Sequence, residues 1–130
     1  MDAHDKAKWN DSSVLTALRE KLKSDLEFTV EIIFHINDDV ERARQELIAE
    51  CPALVALKRR FSKRFHILWD PVAKKQHYAV NDNGDVILDK HDHASNEEPV
   101  QDVVFNYPKL ANEWIESFDQ SEKSCVELQF

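Results

Sequence analysis

The stretch Glu27-Phe28-Thr29-Val30-Glu31-Ile32-Ile33-Phe34-His35-Ile36 decides the fold class. Phe28, Val30, Ile32, Phe34 and Ile36 share one side of a two-residue period. Glu27, Thr29, Glu31, Ile33 and His35 share the other. Alternation of this kind, rich in β-branched and aromatic side chains, predicts a strand with one fully apolar face. Ile33 is the only aliphatic residue on the second face, so that face is expected to be partly covered at most.

On both sides of this strand the period changes to that of a helix. Upstream, Asn10-Asp11-Ser12-Ser13 offers capping side chains, and Val14, Leu15, Leu18 and Leu22 recur at spacings of three and four. The spacing predicts an amphipathic helix over Ser13 to about Lys23. Residues 1–10 are polar and aperiodic and are expected to form a flexible arm, with Trp9 tucking back onto the domain. Downstream, Asp38 and Glu41 fit a loose capping box. Val40, Ala43, Leu47, Ile48 and Cys51 then form a buried stripe. Pro52 ends that helix near Glu50 and opens a second one carrying Leu54, Val55, Leu57 and Phe61.

After Phe61 the period returns to two. Phe65, Ile67 and Trp69 point one way, His66 and Leu68 the other, and Tyr78 and Val80 continue on a return strand. Asn83-Gly84, with the only glycine in the chain, signals a hairpin into Val86-Ile87-Leu88. Residues 64–89 therefore read as a three-stranded meander. Residues 90–102 lack any period and read as a long exposed loop. Val103-Val104-Phe105 is a short extended piece. Pro108 opens a last helix with Leu110, Ala111, Trp114, Ile115 and Phe118 on one face. Asp119 to Lys123 reads as a linker, and Val126, Leu128 and Phe130 as a closing strand.

Strands grouped in a meander and also split by helices indicate an α+β class. The expected form is one domain over 11–130: a mostly antiparallel sheet of four to five strands with helices on one face. That order is compatible with a ferredoxin-like core carrying an extra strand and an N-terminal helix. The chain has 130 residues and 42% hydrophobic residues, enough for one core. An N-terminus without an apolar stretch, and no long apolar run anywhere, point to a cytoplasmic protein that does not enter a membrane. Cys51 and Cys125 are then expected as thiols.

The residues present narrow the chemistry by exclusion. One glycine rules out a phosphate-cradling loop and a nucleophile elbow, and no residue pattern calls for a cofactor. His35, His66 and His77 fall on the less apolar side of the expected sheet, and His91 and His93 flank Asp92 in the 90–102 loop. Either group supports an alternative reading as a small metal-dependent enzyme. Otherwise they are ordinary half-exposed residues.

Charge is more informative. The net charge is −8, which argues against general nucleic-acid affinity. Lys58, Arg59, Arg60, Lys63 and Arg64 nevertheless form a basic cluster, and it supports a second alternative, a nucleic-acid-associated regulator. Part of that cluster is expected to serve its own helix dipole. Residues 91–130 hold nine acids against Lys109 and Lys123. The leading expectation is a non-enzymatic protein-binding module of inhibitor, immunity or adaptor type. Glu97, Glu98, Asp102, Glu113, Glu116 and Asp119 would meet a basic protein partner, and Lys58, Arg59 and Arg60 would make further contacts. An uncovered strand edge also leaves pairing into a homodimer open.

Overall fold

The computed structural model describes residues 3–72, 77–89 and 101–130. The chain is α+β, as the alternation of periods predicts. It divides into two compact units, Met1–Ala73 with Cys125–Phe130, and Lys74–Ser124. Among the described residues, the single expected sheet is instead two sheets of three strands each.

The first unit begins with α1 (Ala3–Trp9), so the expected loose arm is helical over that range. Trp9 is half-buried and meets Phe34 edge-on, with ring centroids 6.0 Å apart. The Asn10 side chain donates to the Glu50 carbonyl. Asp11 caps α2 (Ser12–Ser24), its carboxylate accepting from the Ser13 amide at 2.8 Å. Those bonds hold the Asp11 carboxyl below its ordinary value, the Ser13 hydroxyl contributing most.

Strand β1 (Val30–His35) leads through α3 (Val40–Glu50) and α4 (Pro52–Arg60) to β2 (Phe65–Asp70). Asp39 caps α3 by accepting from the Arg42 amide at 2.9 Å. Pro52 opens α4, where its missing N–H costs nothing. Both cysteines are thiols, Cys51 buried between the two helices and Cys125 partly buried.

Strands β1 and β2 pair in parallel, with Val30 opposite Phe65 and His35 opposite Asp70. Strand β6 (Val126–Glu127) adds antiparallel to the far side of β2. The parallel pair needs a crossover connection, and the two helices supply it. No strand lies between β1 and β2, so the ferredoxin-like arrangement is not the one built. Leu22, Leu47, Leu54, Phe65 and Ile67 are fully buried in one core.

The second unit holds β3 (His77–Val80), β4 (Val86–Asp89), β5 (Gln101–Val104) and α5 (Pro108–Glu122). The three strands form an antiparallel meander. A meander is therefore present, but β2 is not part of it. The turn between β3 and β4 requires its glycine. Gly84 has φ +90, and a Cβ there would lie 3.2 Å from the Tyr107 and Pro108 nitrogens. Its carbonyl accepts from the Tyr107 amide at 2.9 Å, which fixes the start of α5 against the turn. Asp85 adds a second tie by accepting from the Asn106 amide at 3.0 Å. The Asn81 side chain and that amide hold the Asp85 carboxyl below its ordinary value. On the inner face of α5, Ala111 is buried and Trp114 lies 4.5 Å from the Tyr78 ring.

Candidate functional site

Helix α5 positions half of the expected acidic contacts, Glu113, Glu116 and Asp119. Ala111, Trp114, Ile115 and Phe118 take its inward face, which leaves Glu113 and Glu116 exposed on the outer face. Asp119 follows three residues later and is also exposed. The helix then runs on to Glu122, through residues whose composition reads as a linker. Glu113, Glu116, Asp119 and Glu122 thus form one run at a spacing of three. Glu122 is the member that sequence reading misses; its only signal is that the spacing continues.

The electrostatics of this run are unfavourable to the helix itself. Like charges three residues apart on a helix repel. Carboxylates near a helix C-terminus also oppose the partial negative charge of its last carbonyls. The last turn of α5 has no basic residue and the first turn no acidic one. Among the described residues, no lysine or arginine forms an ion pair with Glu113, Glu116, Asp119 or Glu122. The acids of the first unit differ: Glu50 pairs with Lys6, Asp25 with Lys21, Asp38 and Asp39 with Arg42, and Glu41 with Arg44. Asp119 also acts inward. With desolvation, its charge helps hold the Tyr78 hydroxyl above its ordinary value, against a hydrogen bond from Ser117. Asp102 is exposed on β5. Glu97 and Glu98 lie outside the described residues.

The basic cluster divides in two. Lys58 is 4% exposed and donates to the Ser62 carbonyl at 3.2 Å, with Glu127 at 3.7 Å. Its expected role as a surface contact is therefore corrected: its ammonium is used inside the fold. The Arg64 guanidinium donates to the carbonyls of Leu22, Asp25 and Phe28 at 2.7, 2.9 and 3.2 Å. It closes the C-terminal end of α2. Arg59, Arg60 and Lys63 remain exposed.

The histidines do not gather. His66 meets Glu127 at 2.6 Å, and His35 lies 3.8 Å from Asp70. In the β1–β2 register His66 faces Glu31 and His35 faces Asp70. The two imidazoles are therefore four strand positions apart, about 13 Å. His77 belongs to the other unit, and His91 and His93 lie outside the described residues. Among the described residues, no three histidine, cysteine or carboxylate side chains are grouped as a metal would require. The His66–Glu127 pair is of a kind that orients a general base, whereas His35 and Asp70 are too far apart for a hydrogen bond. The His66 hydrogen bond is also the main reason the Glu127 carboxyl lies below its ordinary value.

Among the described residues, no helix is long and apolar enough to cross a membrane. No family model, curated protein or solved structure matches the chain.

Proposed function

We propose that the protein is a non-enzymatic binding module whose acidic second unit docks onto a basic protein surface, in the manner of an inhibitor, immunity protein or adaptor. The observation that carries this reading is the charge arrangement of α5. Four carboxylates at a spacing of three, two of them in the last turn against the helix dipole and none in an ion pair with a lysine or arginine among the described residues, cost the fold stability. Local conflict of that kind is expected where function overrides stability. An external cationic surface would relieve it.

The distribution of charge supports the same reading. Residues 74–124 carry eleven acids and five lysines, a net of −6 out of −8. A field of one sign, concentrated on one unit, accelerates encounter with a partner of opposite sign. The test is capture at low salt, with proteins retained by the parent chain compared against those retained by a Glu113→Lys, Glu116→Lys variant. A dominant basic protein should be held by the parent, released by salt and absent from the variant. Equal retention by both chains would refute the proposal.

A further inference from the structure

We propose that a groove between α2 and α4 binds a small organic anion: a compact apolar body carrying one carboxylate or phosphate. The groove lies wholly within the first unit and is independent of the acidic surface of the second. Ser12, Leu15, Thr16 and Arg19 line it from α2. Ala53, Ala56, Leu57 and Arg60 line it from α4. Each set follows the spacing i, i+3, i+4, i+7, so each is one stripe of its helix. The gap persists because Ala53 and Ala56 are too small to fill it, and both remain exposed.

The two helices run in the same direction. Asn10, just before α2, bonds to Glu50, just before α4. Arg64, just after α4, bonds to the carbonyls of Leu22 and Asp25 at the end of α2. Arg19 and Arg60, each at the last position of its stripe, therefore share one end of the groove. The Ser12 hydroxyl lies toward the other end, Thr16 lies midway along its stripe, and Leu15 and Leu57 supply apolar wall.

Two guanidiniums at one end repel each other unless an anion lies between them. Neither is fully satisfied by the fold. The Arg19 Nε is shielded from solvent without a hydrogen-bond partner, and Glu20 lies 3.6 Å away. Arg60 stacks near the Phe61 ring at 5.3 Å and, among the described residues, pairs with no carboxylate. A planar guanidinium pair matches the oxygens of a carboxylate or phosphate. The groove volume of about 390 Å³ suits a small molecule.

The experiment is titration of the full chain with decanoate and with decyl phosphate, each below its micelle concentration, followed by calorimetry and by backbone amide resonances. Decanol and inorganic phosphate serve as the apolar body and the charge alone. At least one of the two anions should bind saturably at one site and shift the amides of Leu15, Thr16, Ala53 and Ala56. The headgroup preference then distinguishes carboxylate from phosphate. Decanol and inorganic phosphate should each bind at least tenfold more weakly. A variant with Arg19→Gln and Arg60→Gln should lose at least tenfold in affinity at an unchanged thermal midpoint. Ala56→Leu, which fills the gap without altering charge, should weaken the anions comparably. No saturable binding of either anion, decanol binding as tightly as decanoate, or parent affinity in the double arginine variant would overturn the proposal.

Discussion

Arg64 shows how residues alike in sequence part ways in the structure. Five basic residues lie within seven positions, yet Arg64 alone bonds three backbone carbonyls while Arg59 stays exposed. A charged donor left out of such bonds costs about 1.5–3 kcal/mol each before relaxation, and contributions of this kind do not simply add. Arg64→Met is therefore expected to lower stability by about 2–3 kcal/mol, and Arg59→Met by no more than about 0.5, as read by urea unfolding. The distinction was illegible in sequence because it depends on the end of α2 meeting the chain just past α4. Glu127 gives a pH-dependent counterpart. His66 and Lys58 hold its carboxyl below the ordinary value. A depressed carboxyl contributes stability above its unfolded pKa and loses it as pH falls through the folded one. Glu127→Gln should thus be less stable than the parent at neutral pH, by at most about 1 kcal/mol for so exposed a pair. That gap should close on acidification below the ordinary carboxylate range, as measured by unfolding across pH.

Among the elements, α5 carries its charge against its own stability. Glu113→Gln with Glu116→Gln removes like-charge neighbours worth about 0.2–0.5 kcal/mol each. The variant should therefore unfold at a slightly higher temperature than the parent while losing the captured partner, as read by circular dichroism and by capture. A merely solvated helix would gain the stability and lose nothing else. The inward stripe of α5 and the positions of Glu113 and Glu116 were legible from periodicity. Its last turn was not, because Asp119-Gln120-Ser121 has the composition of a loop. Strand pairing departs from the sequence expectation for a physical reason too. Adjacent strands usually pair, which places β2 beside β3 in a sequence reading, whereas it pairs in parallel with β1. The signal was there in Phe65-His66-Ile67-Leu68-Trp69, where Leu68 breaks the alternation. Leu68 is 7% exposed on the face away from the main core, and burial on both faces is the habit of parallel strands.

Taken as a whole, the molecule places most of its net charge in one of its two units. The first unit pairs many of its acids locally, and the second concentrates carboxylates on an exposed helix. Composition reveals the acidic C-terminal third but not that most of it lies in a separate compact unit, since no linker composition marks the boundary at Ala73. The proposed function requires that concentrated field to act on a basic protein, and the most direct measurement is the association rate of the captured partner as salt is raised. The rate for the parent chain should fall steeply with ionic strength, and that of the Glu113→Lys, Glu116→Lys variant should be slow and nearly flat. Equal rates for the two chains, insensitive to salt, would contradict the account.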